Sequence, residues 1–343
     1  MKKPTKFSKI KSMLFDKEDL RWATPEIVAD YRARRLKCDL IVDLCCGIGG
    51  QSIFFGKYCK KVIAVDKDVK RIEFAKKNAE AYGVNNIDFL AGDVMDKDII
   101  NKIRKLKPDV LFCDPTRLEK EEERKVTNII PKVDDVVHAY RINDFAFEVP
   151  PQLSPEKIHY SCEREYVSVN NKLNRLTLYF GKLKKCDVSA LALPNRDKIV
   201  SSEIKIDIIN SEEPKKYLYE VDTAVIKANL LNELINDINN KNKINKIFVY
   251  HKNKLTLLTC GNIINSNFLI NYKLIKETSN NNISIVKILK DKGFGRVILR
   301  ASIKPEDYWR QRKGFEDQLE GERTAHLFII NNRALVCEKV KKE

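Results

Sequence analysis

The 343-residue chain contains no apolar run long enough to cross a bilayer. Its basic start, MKKPTKFSKIKSMLF, also lacks the apolar core and small-residue cleavage site of a secretory signal. No membrane role and a cytoplasmic location are therefore expected. Cys-x-x-Cys does not occur and the four histidines are scattered, which leaves no basis for a metal site. The nine cysteines are odd in number and include the adjacent Cys45 and Cys46, so free thiols are expected in place of a disulfide scaffold. Internal repeats and low-complexity segments are missing, and the lysines form no dense basic tail.

What is present suits a globular protein: 43% of residues are apolar and 33% charged. The length suits two domains, each able to bury its own core. A formal charge of +16 points to a polyanionic partner such as nucleic acid. Part of that excess comes from a composition rich in Lys, Asn and Ile.

A helix is predicted over ATPEIVADYRARRL, with Thr24 as N-cap, Pro25 in the first turn, and a broken apolar face of Ile27, Val28, Tyr31 and Leu36. In DLIVDLCCGIGGQSIFF a buried strand gives way to a glycine-rich turn and a helix. KKVIAVDKD reads as a second buried strand ending in acids, and VKRIEFAKKNAEAYG as a helix stopped by Gly83. NIDFLAGD and PDVLFCDP add two strands with a polar helix, KDIINKIRKLK, between them. This alternation predicts a doubly wound parallel sheet. DFAFEVPP reads as a fifth strand, and REYVSVNNKLNRLTLYFG as a closing antiparallel hairpin about a polar Asn-Asn-Lys turn.

Periodicity lapses around SSEIKIDIINSEEPKK. The division expected is a helical lead-in over 1–37, a sheet domain over 38–210 and a small α+β domain over 211–343. In the last, Asp222 caps a helix over TAVIKANLLNELINDI, ISIVKILKDKG is a second helix, RVILRA a strand, PEDYWRQR a helix, and AHLFIINNRALVCEKV a final hairpin.

The chemistry gathers at the carboxyl ends of the predicted strands. Asp43 ends the first, and Gly47, Gly49 and Gly50 lie in the turn that follows, where missing side chains let a ligand approach the backbone. Asp66 ends the second, where nucleotide-binding sheets hold a ribose diol. Asp93 follows the third and Asp114 the fourth. The turn spacing is Asp-x-Cys-x-Gly-x-Gly, with Cys45 in place of a first glycine.

This turn, with a sheet that closes in a hairpin, resembles the class I methyltransferases that use S-adenosylmethionine. The resemblance implies an α/β, Rossmann-like sheet plus the small α+β C-terminal domain. It also implies that Asp43, Cys45 and the Gly47 to Gly50 turn face the methionine part of the donor, with Thr24 among the cofactor-binding residues. Asp66 would hold the ribose and Asp93 the adenine amine, while Asp114 and Pro115 lie beside the methyl group.

RWATPEIVADYRARR, IVDLCCGIGG, VIAVDKD, NAEAYG and LFCDPTR, with YVSVNNKLNRLTLYFG, KKYLYEVDTAVIKANLLNEL and KDKGFGRVILR, are similar to a bacterial and archaeal group of methyltransferases with a THUMP-like C-terminal domain. The first half also resembles trimethylguanosine synthases, although those carry Ser-Pro-Pro-Trp where this chain has Asp114, Pro115, Thr116 and Arg117. The resemblance implies RNA, and tRNA in particular, as partner, and the exocyclic N2 of guanosine as target.

In such a site Asp114 accepts hydrogens from an amine and Pro115 fixes the turn. Arg117 pairs with phosphate, stacks by its guanidinium plane, or only bridges the acidic run Glu119 to Glu123. The 5-methyluridine methyltransferases have a similar Asp-Pro-Pro-Arg, and their carbon chemistry needs a cysteine nucleophile, for which Cys162 is the candidate. A small-molecule or protein substrate, or an inactive RNA-binding protein, are the remaining alternatives.

Overall fold

A computed structural model describes residues 6–117, 129–204, 206–242, 247–252, 255–301, 303–330 and 332–340, with the backbone alone at 116, 117 and 252. The chain divides into two compact units, Met1–Ser201 with Lys227–Asn229, and Ser202–Ile226 with Leu230–Glu343. The first unit thus ends ahead of the boundary expected at 210. An unforeseen pair of strands completes its sheet just before Ser201 and sets that limit.

The helices α1 (Lys17–Trp22) and α2 (Glu26–Arg35) lead in, followed by β1 (Leu40–Leu44), α3 (Ser52–Tyr58), β2 (Lys61–Asp66), α4 (Val69–Tyr82), β3 (Ile87–Ala91), α5 (Lys97–Leu106) and β4 (Val110–Cys113). After them come the two-residue pair β5 (Thr116–Arg117) and β6 (Ile129–Ile130), then α6 (Val133–Tyr140), β7 (Phe145–Val149), β8 (Glu163–Val169), β9 (Lys172–Tyr179), β10 (Val188–Leu193) and β11 (Asp197–Val200). The main sheet has nine strands in the order β11-β10-β8-β9-β7-β4-β1-β2-β3. From β3 to β7 it is parallel, and β9 joins antiparallel to both β7 and β8.

Strands covered on both faces are buried at every position: β4 is wholly apolar, and β7 is apolar apart from the buried Glu148. Edge strand β3 alternates with exposed residues. Gly83, in the left-handed region at φ 71°, ends α4 as expected. The β8–β9 turn is tighter than expected: Asn170 and Asn171 alone form it, both at positive φ, and Lys172 already belongs to the strand.

Thr24 does not cap α2. Pro25 is the N-cap, because its carbonyl accepts from Val28 and Ala29 N–H at 2.9 and 3.0 Å, and the helix begins at Glu26. α1 was not foreseen either. Being six residues long, it has no room for an apolar period, and its tertiary anchors stabilise it.

The second unit contains β12 (Ile209–Asn210), β13 (Tyr217–Val221), α7 (Thr223–Lys227), α8 (Leu231–Asn242), β14 (Phe248–Lys252), β15 (Thr256–Cys260), β16 (Leu269–Ser279), α9 (Asn282–Asp291), β17 (Phe294–Arg300), α10 (Pro305–Glu316), β18 (Arg323–Ile330) and β19 (Arg333–Lys339). It is larger than the small domain expected, with eight strands in the order β12-β14-β15-β13-β16-β19-β18-β17. Asp222 accepts from Ala224 N–H at 2.7 Å, but the helix it opens is two helices, broken where Asn229 adopts a positive φ of 59°. The final hairpin, β18 with β19, forms as expected.

Candidate functional site

A cleft of about 380 Å³ opens at the carboxyl ends of β1, β2 and β4, where a doubly wound sheet offers its strand tips to ligands. Asp43, Cys45, Gly47, Gly50, Asp66, Asp114 and Pro115 line it, and so does Thr24. Parallel pairing of β1 with β2 and β4 aligns these tips in register, Asp43 against Ala64 and Phe112.

Asp43 is 1% exposed. Its Oδ2 accepts a short hydrogen bond from the Ser52 hydroxyl, and its Oδ1 finds no hydrogen-bond partner among the described residues. Burial, with the neighbouring Asp114 charge, pushes its carboxyl up to about 7 against the pull of Ser52 and Arg32. Asp66 is also buried, and its two oxygens accept from Gly47 N–H at 2.8 Å and Asp68 N–H at 3.0 Å. A carboxylate oxygen has two lone pairs, so each retains an acceptor site.

The turn between them is bent to present backbone. Cys45 holds a positive φ of 64°, unusual without glycine, and Gly47 one of 53°. A Cβ at Gly47 would meet nothing within 4 Å, so this glycine serves the backbone conformation and leaves the cleft open. Gly49 has a different task and does not line the cleft: a Cβ there would lie 3.1 Å from that of Ala75, so it lets α3 and α4 approach.

Asp93, like Gly49, is not brought in. Asp93 is exposed, accepts from Met95 N–H at 2.8 Å and shapes the turn before α5; it does not line the cleft. β3 is an edge strand, which leaves its end outside the group formed by the inner strands. Arg117 has its backbone in β5, but its side chain and the acidic run Glu119 to Glu123 lie outside the described residues.

At the tip of β4, Asp114 is half-buried and its carboxylate receives no hydrogen bond from any described residue. Its own N–H reaches Leu44 O at 3.4 Å. Cys162 is fully buried and not part of the cleft, and burial pushes its thiol up to about 11, away from the thiolate a nucleophile requires. Cys113 is buried in β4, with its thiol driven well above the usual range by burial and by Cys45.

Several lining residues had no sequence signal: Trp22 at the end of α1, Gln51 at the start of α3, Phe112 in β4, and Arg175 in β9. Gln51 accepts at 2.8 Å from Arg32, which is itself buried, stacks on Phe112 with 4.8 Å to the ring centroid, and pairs with Glu148. Arg175 pairs with the same Glu148 at 3.2 Å. Arg32 falls on the same helix face as buried Val28, Ala29 and Ala33, and that misplaced charge was the one available hint.

Residues 38–117 match the family model described as RNA cap guanine-N2 methyltransferase. An uncharacterized RNA methyltransferase of Oceanobacillus iheyensis is 40% identical over 81 residues, 24% of this chain and 18% of that protein. Trimethylguanosine synthase of Schizosaccharomyces pombe is 40% identical over 79 residues, 21% of this chain and 33% of that protein. A probable cobalt-precorrin-6B C(15)-methyltransferase (decarboxylating) of Methanococcus vannielii is 30% identical over 135 residues, 38% of this chain and 69% of that protein. The chain spans a third or less of the length of the first curated relatives it matches. A crystal structure from Porphyromonas gingivalis W83, named as a putative methyltransferase, superposes with TM-score 0.73 over 95% of this chain and 83% of that one. At 16% identity this last similarity shows the fold alone.

The residues present fit S-adenosylmethionine. The unpartnered Asp43 Oδ1 suits a buried cation, the spare acceptor sites of Asp66 suit a diol, and the open cradle at Gly47 admits a ligand against the backbone.

Proposed function

The chain belongs to the class I S-adenosylmethionine-dependent methyltransferases, and on that premise we propose that it methylates RNA at the exocyclic N2 of a guanine, with tRNA as the RNA. The observation that carries this reading is Asp114, whose half-buried carboxylate lies in one cleft with Asp43 and Asp66 and receives no hydrogen bond from any described residue. Such an acceptor is suited to an amine, which has hydrogens to give.

Bound S-adenosylmethionine supplies an electrophilic methyl group on a sulfonium. Asp43 accepts the ammonium of its methionine part, and Asp66 the ribose hydroxyls. Asp114 accepts an N–H of the incoming amine, which orients the nitrogen, and stabilises the positive charge that develops there. Pro115, with its fixed φ, holds the turn so that this carboxylate stays at the strand tip. Phe112 gives the cleft one apolar wall.

Supporting the guanine reading are the description of the matching family and the trimethylguanosine synthase relative. Supporting RNA are those same matches, the net charge of +16, and the surface of the second unit. There α10 carries Trp309, 67% exposed, with the Arg312 guanidinium 5.2 Å from its ring centroid. An aromatic ring among arginines is a common platform for single-stranded nucleic acid. We assign the second unit, as a THUMP-like domain, to RNA binding. Mass spectrometry of tRNA nucleosides from a deletion strain tests the reading: loss of an N2-methylated guanosine supports it, and an unchanged guanosine profile with loss elsewhere overturns the target.

A further inference from the structure

The Asp114–Arg117 loop carries no aromatic residue, yet the cleft has an exposed one. Trp22 lines it and is 50% exposed, an unusual state for a tryptophan beside a chemical site. Isolated exposure means little by itself. Here the backbone beneath the ring is held with a completeness that an idle surface residue would not require.

Four successive carbonyls at the end of α1 are taken by two cations from distant parts of the chain. Lys6 Nζ donates to Leu20, Arg21 and Ala23 carbonyls at 2.8, 2.6 and 3.1 Å. Arg175 Nη2, from β9, donates to the Trp22 carbonyl at 3.1 Å. The other end of α1 is closed by a capping box between Asp16 and Asp19, and those two carboxylates pair with Lys70 and Arg71 of α4 at 2.8 and 2.9 Å. A short helix that would not persist alone is therefore fastened at both ends, with a large flat side chain projecting into the cleft.

The charge beside it is equally suggestive. Arg21 lies with its guanidinium 4.9 Å from the Trp22 ring centroid, and no carboxylate pairs with it among the described residues. A flat ring for a base and an uncommitted guanidinium for a phosphate together fit a nucleotide.

We propose that Trp22 is the stacking surface for the acceptor guanine and that Arg21 engages its phosphate, so that α1 supplies the ring missing from the Asp114 loop. This rests on the guanine-N2 reading above. Placement of the base follows from geometry: it enters between α1 and the β4 tip, and stacking sets the plane in which its amine meets Asp114.

Because the sequence contains two tryptophans, two single-tryptophan proteins isolate each ring. Trp309→Phe leaves Trp22 as reporter, and Trp22→Phe leaves Trp309. With S-adenosylhomocysteine present, guanosine 5′-monophosphate should quench the first saturably and leave the second unchanged. In full-length enzyme, Trp22→Ala should raise the KM for RNA by roughly tenfold to a hundredfold, the range for losing one base–aromatic stack, with donor affinity unchanged. Trp22→Phe should recover most of that loss, since a smaller ring still stacks. A wild-type enzyme that methylates guanine N2, with no quenching of Trp22 and an unaltered KM in Trp22→Ala, overturns the stacking role and leaves the guanine reading standing. A fall in donor affinity in Trp22→Ala overturns it as well, by moving Trp22 to the donor side. An enzyme that places no methyl on guanine N2 overturns both.

Discussion

Replacing Asp43 with asparagine removes a charge that burial makes unfavourable, and the consequence depends on pH in a calculable way. The folded carboxyl is pushed up to about 7 from an ordinary 3.8, and the residue is 1% exposed, so solvent screening is slight. At ~1.4 kcal/mol per unit the ionised form costs the donor-free protein roughly 4 kcal/mol. The sign is set by proton binding: between pH 4 and 7 the folded state holds more protons than the unfolded chain, so stability falls as pH rises, and the loss is complete just above 7. About 3 kcal/mol of it lies between pH 5 and pH 8.

In Asp43→Asn, the Ser52 hydroxyl can still donate to an oxygen, and the titration is gone. Without donor, the variant should therefore melt above wild type at pH 8 by roughly 5–10 °C and match it more closely at pH 5. Its affinity for S-adenosylmethionine should fall, because the ammonium loses its counter-ion. Thermal melts at both pH values, with and without donor, measure all three quantities. Parallel pH profiles for the two proteins would refute the raised carboxyl and the donor role built on it.

Asp66→Ala should weaken S-adenosylmethionine binding by about thirtyfold, or ~2 kcal/mol, in isothermal calorimetry; undiminished affinity would remove Asp66 from the site. Asp114→Asn should lower turnover by about two orders of magnitude while donor affinity stays nearly intact, as read from single-turnover rates and calorimetry. Cys162→Ala should remain active and form no adduct with 5-fluorouridine RNA in either protein; a folded, donor-binding but inactive variant would reverse the choice of an amine. On α10, Arg310 pairs with Asp307 at 2.6 Å and Arg312 with Glu316 at 2.9 Å, and RNA phosphates would replace those carboxylates. The double variant Arg310→Ala with Arg312→Ala should weaken RNA binding and flatten its salt dependence by up to about two counterions; an unchanged slope would take α10 out of the RNA surface.

The first unit was largely legible because its strands are short apolar runs closed by acids or glycine. LIVDL, KVIAVD and VLFC each became a strand, Gly83 was readable from backbone preference, and the hairpin turn was placed to within one residue, Lys172. In the second unit the helices of ISIVKILKDKG and PEDYWRQR, the strand RVILRA and the final hairpin were legible, but the strands before them were not. β16 carries the exposed Lys273 and Lys276 and the partly buried Glu277 along a long antiparallel strand, and β13 is preceded by Lys215 and Lys216, so alternation was masked by these charges. At the site, Asp43, Asp66 and Asp114 were found because each ends a recognisable strand. Asp93 was expected by the same rule and fails to line the cleft, since β3 sits at the sheet edge. Trp22 could not have been found: its place depends on Arg175, 153 residues further on, and on a helix too short for any period to register.

The most direct test is transfer of a deuterated methyl group from S-adenosylmethionine to tRNA lacking the modification, followed by nucleoside mass spectrometry. The expected product is N2-methylated guanosine carrying the label. Label on uridine or any other base, or none in RNA from an enzyme that binds the donor, would contradict it.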